Sequence, residues 1–64
     1  MKKVFYSVEY VELESRKKNS MWFDNLKEAK EFAKADFRAV PVKHVYSSEA
    51  TIKMAEQLIE LQKN

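Results

Sequence analysis

His44 is the single histidine of this 64-residue chain, and there is no cysteine. Acid–base chemistry near neutral pH therefore has one ordinary candidate. His44 lies on the Val40, Val42 and Tyr46 side of a run that alternates at period two, with Ser47 and Ser48 just beyond it. No acidic residue stands where a nucleophile–base–acid triad would need one, so His44 is expected to pack as a strand histidine among aromatic neighbours. One histidine without cysteine cannot build a zinc site of nitrogen and sulfur ligands within one chain. Phosphate-cradling loops need glycine for close backbone approach, and the chain contains none. Glu9, Glu12 and Glu14 line the first extended run, with Glu9 on the face of Phe5, Val11 and Leu13. A paired-carboxylate hydrolase would also need a cleft that so short a chain can hardly enclose. The reading is of a protein without catalytic residues, cofactor, metal site or small-molecule substrate.

The basic side chains offer a different chemistry. On a helical wheel Lys27, Lys30, Lys34 and Arg38 fall within roughly 80° of one another, away from the apolar stripe of the same segment. Arg16, Lys17 and Lys18 form a second group at a turn, and the two groups hold seven of the twelve basic residues. Together they could contact nucleic-acid phosphates, with Trp22 as a stacking platform. Glu28 and Glu31 dilute that stripe, and ten of the twelve are lysine rather than arginine, which disfavours sequence-specific readout. Twelve basic against ten acidic residues leave a net charge of +2, too small to imply a polyanionic partner.

These residues must be held by short elements. Lys2 to Glu14 alternates, with Val4, Tyr6, Val8 and Tyr10 on one face and Phe5, Val11 and Leu13 on the other, as a central strand would. Residues 15–19 make a polar turn, in which Asn19 is the best candidate for a positive φ. Ser20 to Phe23 returns as a short edge strand. Asp24 or Asn25 caps a helix, Asn25 completing a capping box with Glu28 if it is the cap, and the helix runs to about Asp36 with Leu26, Ala29, Phe32, Ala33 and Phe37 covering a sheet. Arg38 to Tyr46 is a second edge strand, since it contains Pro41. Ser47 or Ser48 caps a final helix, with Glu49 favouring its N-terminal dipole. The expectation is one α+β domain, β-β-α-β-α, with a three-stranded antiparallel sheet in the order 2-1-3.

The final helix carries more apolar surface than that sheet needs. Ala50, Ile52, Met54, Ala55, Leu58, Ile59 and Leu61 cover roughly 200° of the wheel, against the roughly 100° of a one-sided surface helix. Ile52, Ala55 and Ile59 form one flank, suited to docking on the sheet or on the first helix. Ala50, Met54 and Leu61 form the other, with Leu58 between them, and that flank needs a second surface unless the helix is wedged between the first helix and the sheet. A domain of this size hides only about 60% of the surface of its unfolded chain. With disulfides excluded, association is the expected supplement. Met54, Leu58 and Leu61, with Trp22 as a second anchor, are the expected partner interface, and a homo-oligomer is the expected state. No apolar run approaches membrane-spanning length and no signal-peptide block follows Met1, so a cytoplasmic protein without a membrane partner is expected.

The stretch Trp22-Phe23-Asp24-Asn25-Leu26-Lys27-Glu28-Ala29, with Ala33 one turn on, then Phe37 and Val42-Lys43-His44-Val45, resembles small phage-encoded inhibitor proteins of the T7 RNA-polymerase-inhibitor type. The resemblance covers about Lys3 to Tyr46 and leaves the final helix outside. It implies a compact protein that acts by occupying another macromolecule's surface. The chain is thus read as an interaction module binding itself or a macromolecular partner, of the kind a phage or mobile element uses as a regulator or inhibitor. The alternative is a nucleic-acid-binding accessory protein using Arg16, Lys17, Lys18, Lys27, Lys30, Lys34 and Arg38.

Overall fold

A computed structural model describes residues 2–36 and 40–63, with the backbone alone for residues 35 and 36. The chain runs β1 (Lys3–Val11), β2 (Lys18–Phe23), α1 (Leu26–Asp36), β3 (Val42–Tyr46) and α2 (Glu49–Gln62). The sheet is antiparallel in the order β2-β1-β3, and the fold is α+β as expected. Strand β1 is central because both its faces are apolar enough to bury. Phe5 and Val8, on opposite faces, are each fully buried.

That two-sidedness places the helices. Val8 packs with Ala29 and Ala33 of α1, against which Tyr6, Phe23 and Phe32 also rest. On the reverse face Phe5 packs with Ile52, Ala55 and Ile59 of α2, joined by Trp22 and Tyr46. The molecule is therefore a helix, a sheet and a helix in three layers, and α2 is not wedged against α1. The three α2 residues expected to hold the fold are the three that are buried. Leu26, expected in the covered stripe of α1, stays 39% exposed. Phe37 and Arg38 lie outside the described residues.

Several boundaries differ from the expectation for identifiable reasons. Strand β2 begins at Lys18 rather than Ser20, because Lys18, Asn19 and Ser20 pair in register with Val11, Tyr10 and Glu9. With Asn19 inside the strand, the positive φ falls on Arg16 instead, at 58°, the one such residue among those described. The Glu12 carboxylate organises this turn, accepting from Ser15 Oγ at 3.0 Å and Asn19 Nδ2 at 2.7 Å. Pro41 lies just ahead of β3, where a missing ladder donor costs nothing. Asn25 caps α1 through a bond from Glu28 N–H to its Oδ1 at 2.8 Å. Ser48 occupies the corresponding position of α2, but its hydroxyl makes no cap bond.

One position on the outer edge of β2 is capped by a side chain. Trp22 N–H donates to Gln62 Oε1 at 2.9 Å, and Gln62 Nε2 donates back to the Trp22 carbonyl at 2.8 Å. One glutamine amide thus takes the place of a neighbouring strand, satisfying groups that would otherwise offer a pairing template.

Candidate interaction surface

The antiparallel register puts His44, Tyr46, Trp22, Ser7 and Phe5 on the face that α2 covers. His44 pairs with Phe5, Tyr46 with Lys3 and Trp22 with Ser7. The His44 ring lies 4.6 Å from that of Trp22 at 31°, and 5.9 Å from that of Tyr46 at 23°. Its Nε2 shares a hydrogen bond with Ser7 Oγ at 2.7 Å. A strand histidine among aromatic rings is what the sequence indicates. The partner hydroxyl is Ser7, however, and not the adjacent Ser47 or Ser48.

A serine–histidine contact is also the start of a nucleophilic constellation. Ser7 is only 7% exposed and sits in the central strand, between paired neighbours on both sides, so its own main chain is committed to the sheet rather than to a developing oxyanion. Among the described residues no carboxylate bonds the His44 ring to orient it. The bond satisfies a buried hydroxyl and fixes the imidazole plane against Trp22.

Beside these rings α2 makes one wall of an open cleft of about 290 Å³, lined by Trp22, Tyr46, Thr51, Met54, Ala55 and Leu58. Met54 is 70% exposed, Leu58 41% and Leu61 70%. The structure brings Trp22, Met54 and Leu58 to this cleft, while Leu61 continues the exposed row one turn further along the helix. Trp22 itself is half-buried, its inner side packed on the Phe5, Ile52, Ala55 and Ile59 cluster. It is a floor rather than a protruding anchor. Tyr46 and Thr51 are lining residues that sequence reasoning missed. Tyr46 shares the period-two face of His44, and Thr51 precedes Met54, Leu58 and Leu61 at spacings of three, four and three, so both carried a signal.

Across α2 from the cleft, Lys3 Nζ bonds Glu56 Oε2 at 2.6 Å and lies 5.4 Å from the Phe5 ring centroid. Both charged side chains are well exposed, so the pair adds little stability. It does mark the rim of α2 that belongs to this chain's own sheet.

The basic residues fall elsewhere. Lys27, Lys30 and Lys34 are exposed on α1, and Arg16, Lys17 and Lys18 are exposed at the hairpin. Trp22 is not on their side. Its register partner Ser7 belongs to the α2 face, whereas α1 covers the face of Tyr6 and Val8, so the sheet separates the expected stacking platform from the lysine stripe. No helix among the described residues is long and apolar enough to cross a membrane, and none of their acidic and histidine side chains group so as to hold a metal ion. No family model, curated protein or solved structure matches the chain.

Proposed function

We propose that this protein is a small non-catalytic interaction module that works by laying the outer flank of α2 and the adjoining cleft against another macromolecular surface. The observation that carries the reading is the exposed row of Met54, Leu58 and Leu61 running beside a cleft floored by Trp22 and Tyr46. Aromatic floors beside flexible methionine and leucine walls are the composition of an interface centre. A continuous apolar patch on so small a domain is an unusual expense unless it is covered in use. A role as a regulator or inhibitor encoded by a phage or mobile element is consistent with this mode of action, which needs no chemistry beyond occupying a surface.

A photo-crosslinking residue placed at Met54, and separately at Lys30 on α1, tests the proposal in the host cell. A discrete adduct from position 54 and none from position 30 is expected. Adducts from position 30 alone, accompanied by a mobility shift of DNA or RNA that fades steeply with salt, would instead favour the lysine stripe as the working surface.

A further inference from the structure

We infer that the outer edge of β2 is a covered docking site for an extended segment of a partner protein, which adds as a fourth strand when the last turn of α2 releases it. This edge is separate from the outer flank of α2, and neither surface needs the other.

The main chain fixes the chemistry of the occupant. Trp22 gives both its N–H and its carbonyl to Gln62, so both point away from β1. Main-chain groups alternate sides along a strand, and Lys18 and Ser20 share the parity of Trp22, so theirs face outward as well. The edge is thus a row of three donor–acceptor pairs, of which Gln62 covers the one at Trp22. Its amide accepts at 2.9 Å and donates at 2.8 Å, which is what one residue of a paired strand does. The cover is a one-residue copy of an extended backbone, and it names the ligand by imitation.

A crevice accompanies the edge. It holds about 140 Å³, with Met21, Trp22 and Phe23 at its base, Glu28 of α1 on one side and Ile59 and Lys63 of α2 on the other. That is room for a single aliphatic side chain of the added strand. In strand addition the main-chain bonds supply affinity, and side-chain pockets beside the edge supply selectivity.

The cover can move while the domain stays folded. Ile59 is the last buried residue of α2, and Gln62, one turn beyond it, is the last residue of the helix. Terminal turns open at little cost in free energy, so releasing Gln62 leaves Ile52, Ala55 and Ile59 packed on Phe5. The opposite edge of the sheet is a poorer site. Its register with β1 engages Val42, His44 and Tyr46, leaving Lys43 and Val45 outward, and Pro41, next in that parity, has no N–H to give.

Titration of the full chain with a capped hexapeptide of alternating threonine and valine, followed at the Trp22 amide resonance, tests the inference. Gln62→Leu deletes the amide and keeps the bulk of the side chain, while Gln62→Ala serves as a second form that leaves the crevice empty. Both should retain the far-ultraviolet circular dichroism of the wild type. The wild type is expected to bind the peptide weakly and both variants on the order of tenfold more tightly, because two hydrogen bonds no longer have to be broken first. The same peptide N-methylated at every amide, which cannot donate to the edge, should bind none of them. Equal binding by wild type and variants, no binding by any form, or binding of the methylated peptide overturns the inference. A variant that doubles its mass without peptide and ignores the peptide assigns the edge to a second copy, which overturns a foreign occupant.

Discussion

Arg16 shows what a glycine-free sequence must accept. Closing the hairpin needs one left-handed residue, and with no glycine available an arginine takes φ 58° while its N–H donates to the Glu12 carbonyl at 2.7 Å. A left-handed conformation costs an L-residue about 1–2 kcal/mol, whereas glycine there loses only about 0.5–1 kcal/mol of extra chain entropy. Arg16→Gly is therefore expected to stabilise the domain by up to about 1 kcal/mol, seen as a melting temperature higher by up to about 7 °C. Arg16→Val should lower it, since a branched side chain tolerates this region worst. Equal melting temperatures for the two variants would show that the turn relaxes to another conformation. The location of this residue was not legible in the sequence. It depends on β2 extending back to Lys18, and the exposed Lys18, Asn19 and Ser20 carry no hydrophobic alternation that would have announced it.

At the scale of elements, the two helix starts separate what a cap looks like from what it does. Asn25 and Ser48 both stand where N-cap residues should, each as one of two neighbouring candidates the sequence offers beside Asp24 and Ser47, yet only Asn25 accepts the side-chain bond. Asn25→Ala should accordingly cost about 1 kcal/mol, while Ser48→Ala should change stability by no more than a few tenths, both readable from urea denaturation midpoints. A large loss for Ser48→Ala would mean that its hydroxyl reaches the helix in solution. Element order, strand order and the buried flank of α2 were legible because each follows from periodicity. Phe5 opposing Val4 and Tyr6 marked a two-faced strand, and Pro41 marked an edge. The Gln62 clamp and the Ser7–His44 bond were not legible, because each joins residues about 40 positions apart through a register that no local pattern specifies. For the candidate site, the exposed row on α2 was readable from the wheel. The cleft was not, since its floor comes from two other strands.

On the scale of the whole molecule, the hairpin serves both cores: β1 gives Phe5 to one and Val8 to the other, and β2 gives Trp22 and Phe23 in the same way. The core on the α1 side draws on residues 6–33, a continuous stretch of hairpin and helix. The core on the other side must recruit Ile52, Ala55 and Ile59 from the far end of the chain, at the entropic cost of a longer loop. Local contacts form first in such a topology, so the hairpin with α1 is expected to order before α2 docks. Native-state hydrogen exchange should then show α2 amides opening at lower free energy than those at the centre of β1. Uniform protection across both helices would mean that the three layers open as one unit. The placement of the two helices on opposite faces has a consequence in time as well as in space: the element that offers its outer side to a partner is the last to arrive and the first to let go. A partner on α2 would therefore register less as a change of shape than as a slowing of that helix's departure from the sheet.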